Sequence, residues 1–529
     1  MKNISIKKLA AAALITSVIM GTGCAKIDQF GNINQNPNGV TIPIPSALLT
    51  NVLSQVGSIA SGTISGIGYN PRAANYAQYI AENQYTDVSL MSLPNPEMGT
   101  AYSGPLEDLQ TIISFNSDPK TAATAEADGT NANQIAIAKI LKAYIYWVTT
   151  DRYGDIPYSE ALQGASNLAP KFDKQEAIYF SLIKECKDAA AAMDLSAPKP
   201  IKGDVMYGGD MSKWKRLANS LRMLMALRMT KPYPAAGGKA AVEFADAAAA
   251  AGGIIDNNSY NATIAYPGSG FKNVWFQTYE TRDDYASSKT MGDVLSGLGD
   301  TRSTMFGTNN IMFPVGLTRD LAIAYGNSVG NGQSRVLFQD AVNPANPLNK
   351  RNATSPLVVI PSSIVLLARA EAKERGWIAG GSAGAETDYN AGVAASFAQW
   401  GLTMPGTYLT GGASYTAGAG VPTSIGAGAA PYDNFRAASS NIQTAATPNA
   451  LSRIALQYWI AAFPNGDEGW SSWRRTGVPD LKLTRFATGT YVNRFVYGAN
   501  DYGLNNANTV AAATSIGGDK QETKVWWAK

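Results

Sequence analysis

EGWSSWRRTGVPDL, residues 468–481, sets two tryptophans and two arginines side by side and closes on a glycine and a proline. A helix turns each residue by about 100°, so Trp470, Trp473 and Arg474 share one face, while Glu468, Ser472 and Arg475 take the other. One face reads as packed and the other as polar. Arg474 can lie over Trp470 one turn back as a cation–π pair, and Gly477 followed by Pro479 is a helix stop. Neighbouring arginines can hold phosphate or carboxylate. On an amphipathic helix, however, such a pair more often packs and forms salt bridges, so the segment reads as architecture.

Working outward, the periodic apolar stretches are helical. In NANQIAIAKILKAYIYWVTTDRYGDIPY (131–158), Ile137, Leu141, Tyr144 and Val148 follow a helical stripe that Gly154 and Pro157 end. A second stripe runs from about Asp173 through Ile178, Leu182 and Cys186 to Met193, which makes Cys186 a core thiol. A third, SKWKRLANSLRMLMALRMT (212–230), gathers Trp214, Leu217, Leu221, Leu224 and Met225 on one side and leaves Arg216 and Arg222 off it. Its methionines read as packing. PSSIVLLARAEAKERGW (361–377), ETDYNAGVAASFAQWG (386–401) and ALSRIALQYWIAAF (450–463) add further helices. Strand-like runs are brief, near Leu357–Ile360 and Thr490–Val496. Between the helices lie two long connections, 254–330 and 401–450, the latter rich in Gly, Ala, Ser and Thr. Connections of that length are usually functional or disordered. The expectation is a mainly α fold with long loop-rich insertions.

The first residues bear on location. MKNISIKKLAAAALITSVIMGTGC has a basic start, an apolar run from Leu9 to Met20 and small residues before Cys24, the layout of a secretory signal too short to span a bilayer. Small residues directly before a cysteine resemble a bacterial lipobox, with Cys24 as the lipidation site, although Gly21 stands where leucine is usual. The chain therefore divides into a signal peptide (1–23), a flexible lipidated tether (24–45) rich in Asn, Gly and Pro, and one α-rich binding domain (46–529).

The formal charge of +3 is matched by Lys2, Lys7 and Lys8 of the signal, so the mature chain is near neutral. With no long basic run, nucleic-acid binding falls away. Past Cys24 the only cysteine is Cys186, which excludes an intrachain disulfide and a cysteine-based zinc site. There is no histidine, so Ser-His-Asp and Cys-His catalysis and His-ligated metals are excluded. A carboxylate-only glycoside hydrolase survives that filter, yet no phosphate loop, nucleophile elbow or EF-hand loop supports an enzyme. No cofactor is expected. A metal site is undecided, since loop carbonyls and carboxylates can bind calcium without a motif.

Six segments in order carry a family resemblance: RYGDIPYSEAL (152–162), WKRLANSLR (214–222), RDDYASSKTMGD (282–293) with GDTR (299–302), LARAEAKERGW (367–377) and EGWSSWRRTGVPDL. Together they resemble the SusD/RagB family of Bacteroidetes outer-membrane lipoproteins, closest to the subgroup whose helical core ends in W-x-x-W-R-R-T-G-x-P. The resemblance implies a scaffold of tetratricopeptide-like helix pairs. It also implies a lipid-anchored protein of the outer membrane, facing the exterior, that captures nutrient for a SusC-like TonB-dependent transporter without catalysis. Some relatives deliver peptides, so a peptide receptor is the alternative.

A sugar's C–H face stacks on an aromatic ring while its hydroxyls need planar polar partners. YPGSGFKNVWFQTYETRDDY (266–285) offers that mixture. Trp275 is the expected platform, with Tyr279 and Tyr266 next and Asn273, Gln277 and Arg282 as hydroxyl partners. Tyr85 and Asn83, from AENQYTDVSL, are added from the N-terminal loop. The competing reading is that these rings pin a long loop to the scaffold.

Overall fold

The computed structural model describes residues 42–60, 72–82, 85–92, 98–198, 200–278, 285–306, 353–406, 408–409, 450–479, 481, 483 and 489–529. Residues Pro45–Lys529 form one compact unit. The longer helices are α1 (Pro45–Ala60), α2 (Glu107–Ser117), α3 (Asn131–Tyr153), α4 (Gln175–Ala192), α5 (Met211–Arg228), α6 (Lys239–Ala248), α7 (Ser362–Glu374), α8 (Gly381–Gln399), α9 (Ala450–Ala462), α10 (Gly466–Thr476) and α11 (Asn506–Ile516). Each of α2 to α6 packs on the helix before it in sequence, and α7 pairs with α8; α7 also touches α5 and α9, and α9 leads into α10. Three two-stranded antiparallel ladders complete the order: β1 (Ile80–Glu82) with β5 (Tyr285–Ser287), β2 (Ile156–Pro157) with β3 (Phe172–Asp173), and β4 (Ala262–Ile264) with β6 (Leu357–Ile360). The fold is mainly helical, as the periodicity predicts.

Local signals end the helices where expected. α3 stops at Tyr153 because Gly154, at φ 87°, turns the chain and returns its N–H to the Thr150 carbonyl at 2.7 Å. Its predicted stripe, however, is only part of what it buries: Ala143, Tyr146, Thr149, Thr150 and Tyr153 on the opposite side are buried too. α3 is a central helix, covered by α2, α4 and α5. Asp210 caps α5 by accepting from the Ser212 and Lys213 amides. Cys186 is fully buried, and burial pushes its thiol well above the usual range. α8 is rich in Gly and Ala because it lies close on α7. A Cβ at Gly392 would come 2.9 Å from Leu367 and 3.1 Å from the Ser363 carbonyl.

Two expectations are corrected. Leu357–Ile360 is a strand, but Thr490–Val496 is not. Its backbone groups bond to irregular partners instead of a ladder: Phe495 N donates to the Arg152 carbonyl at 2.7 Å, and Gln521 accepts from Asn493 N and donates through Nε2 to the Thr490 carbonyl. Arg222, placed off the apolar side of α5, is only 1% exposed, because its guanidinium reaches Asp246 on α6.

The largest departure concerns α10. Asn465 caps it by accepting from Glu468 N at 3.1 Å, and Gly477, at φ 73°, ends it. The Arg474 guanidinium sits 3.6 Å above the Trp470 ring, as the spacing predicts, with Trp527 at 4.8 Å on another side. The face read as polar is equally buried. Arg152 of α3 donates through Nε and Nη2 to both oxygens of Asp467, each at 2.7 Å. Arg228 of α5 reaches Glu468 at 2.7 Å, and Arg475 grips Glu371 of α7 at 2.6 and 2.7 Å. Arg474 itself bonds the Asp151 and Asn493 carbonyls and Ser471, with no carboxylate partner among the described residues. A Cβ at Gly469 would come 2.3 Å from the Tyr79 hydroxyl, so the helix must be bare there. α10 is thus a buried hub held to three other helices by arginine–carboxylate pairs, two of them bidentate forks. Every charge in it that could hold a foreign anion already has a protein partner or an aromatic face.

Candidate ligand-binding surface

The β1–β5 ladder joins the two stretches from which ligand contacts are expected. Its register sets Ile80 opposite Ser287, Ala81 opposite Ala286 and Glu82 opposite Tyr285. β1 ends at Glu82, at the same end of the ladder at which β5 begins. Just beyond, residues 85–92 form a compact turn with hydrogen bonds from Leu90 N to Thr86 O, Met91 N to Val88 O and Ser92 N to Asp87 O. Glu82 organises that turn. Its Oε2 accepts from Val88 N at 3.0 Å and Ser89 N at 3.1 Å, while Glu82 N donates to Ser89 Oγ, which in turn donates to Asn75 Oδ1.

The Glu82 carboxyl is buried and accepts from the Ser89 and Val88 amides, with Arg72 lowering it from further off and Asp87 raising it. Burial pushes it up to about 7 despite those hydrogen bonds and the Arg72 charge. It is a clamp inside the turn. At the mouth of the turn, Tyr85 stands 64% exposed, the one aromatic ring among the strongly exposed large side chains of the described residues. An exposed ring can offer a face to a sugar's C–H groups.

The aromatic-dense stretch buries Trp275 and Tyr266, while Phe271, Phe276 and Tyr285 are half-buried. Trp275 is 1% exposed and Tyr266 6%. Tyr266 packs edge-on against Phe271, and its hydroxyl occupies the space that a Cβ on Gly57 would need. Asn273 is buried and serves the backbone: Oδ1 accepts from Trp275 N and Phe276 N, and Nδ2 donates to the Ser355 carbonyl at 2.9 Å. That is an N-cap for the short helix Val274–Thr278. A platform needs an open face, and Trp275 and Tyr266 have none, so their predicted role is corrected to pinning this segment from within. Asn273 likewise spends its Oδ1 and one Nδ2 hydrogen on the backbone. The signal was present in the sequence, since Asn followed by Val-Trp-Phe reads as a cap before an apolar turn. Gln277 is half-buried. Tyr279, Arg282 and Asn83 lie outside the described residues, as does Cys24. Sequence reasoning missed Glu82, whose role depends on a turn that closes back on it.

Among the described residues no group of three His, Cys, Asp or Glu side chains is placed to hold a metal ion. No described helix is long and apolar enough to cross a membrane.

Comparison with known proteins agrees with this architecture. Residues 37–498 match the SusD-like family described as starch-binding and associating with the outer membrane, and the chain belongs to that family. Among solved structures, a SusD homologue from Bacteroides uniformis is 24% identical, with 92% of this chain and 99% of that one covered and a TM-score of 0.69. A chitin-binding SusD homologue from Flavobacterium johnsoniae is 23% identical over 92% and 98% of the two chains, with a TM-score of 0.67. At such identities the likeness establishes the fold. No curated protein matches the chain.

Proposed function

We propose, from membership in this family, that the chain is a lipoprotein of the outer cell surface that captures oligosaccharide and hands it to a SusC-like TonB-dependent transporter, without catalysis. The observation that carries the reading is the family match across residues 37–498, whose description is one of starch binding at the outer membrane. The lipobox-like ending at Cys24 supplies the anchor. The exposed Tyr85 ring at the end of the β1–β5 ladder supplies a stacking face. Contacts to sugar hydroxyls come from Asn83, Gln277 and Arg282, with Tyr279 as a second ring. Trp275, Tyr266 and Asn273 pin the segment that carries Gln277 to the scaffold from within. Calcium is not required by this reading.

The test is calorimetric titration of the chain from residue 24 onward, unlipidated, with malto- and chito-oligosaccharides and, separately, with a peptide mixture. Saturable heat with an oligosaccharide and none with peptide is expected. Binding of peptide alone would replace the carbohydrate reading with a peptide receptor of the same architecture. Release of reducing ends during incubation would revive a carboxylate-only hydrolase.

A further inference from the structure

The Tyr85 turn is held from within by an acid whose two oxygens are bonded unequally. Both amides that reach the Glu82 carboxyl, Val88 N at 3.0 Å and Ser89 N at 3.1 Å, donate to Oε2. Oε1 takes no hydrogen bond among the described residues, yet it is not sealed from solvent. Two other buried acids are served differently: both oxygens of Asp467 accept from Arg152, and both of Glu371 accept from Arg475. A carboxylate spreads its charge over two oxygens, and burial calls for donors on each. A protonated carboxyl asks for acceptor bonds at its carbonyl oxygen alone, which is the pattern at Glu82. Oε1, unbonded and within reach of water, is the oxygen that gains or loses the proton.

Burial raises this carboxyl to about 7, and no charge close enough to reverse that faces it. Among the described residues, Arg72 of the short helix Arg72–Tyr76 lowers it and Asp87 of the turn raises it, neither through an ion pair or a hydrogen bond. The Tyr76 phenol on the same helix is itself pushed well above its ordinary range by burial and stays neutral. Tyr285 lies opposite on β5. The folded value lies above the ordinary 4.5, so the closed turn is fully favoured below 4.5 and loses that advantage as pH rises through 7.

The far end of the turn is fixed separately. Met91, at φ 59° in the left-handed region unfavourable to a residue with a Cβ, has its carbonyl held by Gln521 Nε2 at 3.2 Å. The Ser89 hydroxyl ties the middle back to Asn75 at 2.8 Å and accepts from Glu82 N. Loss of the two Glu82 side-chain bonds therefore loosens the end that carries Tyr85 while the rest stays attached.

We propose that Glu82 is a proton-operated positioning residue for the carbohydrate surface: protonated at Oε1 it holds Tyr85 in the binding arrangement, and ionised it lets the turn open. This role rests on the carbohydrate reading of Tyr85, and two measurements keep the two apart. In the first, hydrogen exchange of the amides in residues 85–92 is followed without ligand between pH 5 and 8 on the chain from residue 24 onward. After correction for the intrinsic rise of exchange with pH, protection is expected to fall with rising pH in the parent. It is expected to stay level in Glu82→Gln, whose amide oxygen keeps both acceptor bonds and cannot ionise. In the second, malto- and chito-oligosaccharides are titrated at pH 5.5 and pH 8. The parent is expected to bind about threefold or more weakly at pH 8, and Glu82→Gln equally at both. Level protection in the parent, a pH slope that survives Glu82→Gln, or oligosaccharide affinity that ignores pH overturns the role. If Glu82→Gln does not fold, the pH profiles of the parent decide. Absence of oligosaccharide binding at every pH, with protection still falling, sinks the carbohydrate reading and, with it, the role of Glu82 in binding; level protection beside pH-independent binding sinks the proton-operated role alone.

Discussion

Two buried carboxylates, Glu371 in the α10 hub and Glu82 beneath the Tyr85 turn, are driven in opposite directions by their surroundings. At Glu371 burial alone would raise the carboxyl, but Arg475 and Arg375 outweigh it and hold it down at about 2. At Glu82 burial prevails, because backbone amides and a more distant Arg72 cannot replace a guanidinium fork, and the carboxyl rises to about 7. The same residue type at the same depth thus locks a scaffold in one place and forms a titratable clamp in the other. The hub is built from fixed charges, whereas the turn rests on neutral hydrogen bonding.

The comparison breaks most readily at the hub. Asp467→Ala leaves Arg152 buried without its carboxylate, and removal of one partner from such a pair costs about 3–5 kcal/mol. Urea unfolding of the single variant and of Arg152→Met with Asp467→Leu checks this, the double variant being expected to recover much of the loss. A single variant within 1 kcal/mol of the parent (about a fivefold change) would show that the hub is not held by these forks.

Stability as a function of pH sharpens the contrast. Glu371 has a folded value below its ordinary 4.5, so its contribution is present above that value and is lost as pH falls towards 2. Glu82 has a folded value above its ordinary 4.5, so its contribution is full below that value and is lost as pH rises through 7. The shift at Glu82 corresponds to roughly 3 kcal/mol across that window. Glu82→Gln removes this slope between pH 5 and 8 in denaturant titrations. A slope unchanged by the substitution would mean that Glu82 titrates as an ordinary surface acid.

The smallest stability effect falls on the most exposed ring. Tyr85→Ala changes stability by less than about 0.5 kcal/mol but weakens oligosaccharide binding roughly tenfold. Trp275→Ala does the reverse, with a stability loss of about 3 kcal/mol ahead of any effect on affinity. Equal affinity losses in the two variants, after correction for unfolded protein, would erase the distinction between platform and support.

Much of the fold was legible because helix signals are local. The stripe ending at Gly154, the buried Cys186, the Arg474–Trp470 pair and the Gly477 stop all follow from spacing along one segment. The site was legible only in part. Tyr85 could be named as a candidate ring, but nothing near it in sequence shows that Glu82 clamps its turn or that Tyr285 lies opposite Glu82. In the aromatic-dense stretch, composition indicated a surface, whereas Trp275 and Tyr266 are buried and Asn273 caps the short helix that carries Trp275.

By itself the sequence determined the helical class, the absence of histidine chemistry, and the order of segments that marks the family. Helical period decides which residues share a face, yet it cannot decide what covers that face. That was left to tertiary structure: Arg152 meets Asp467 across 315 residues and Arg475 meets Glu371 across 104, so both sides of α10 are interior. Burial and charge pairing depend on neighbours distant in sequence, and only the folded chain supplies them.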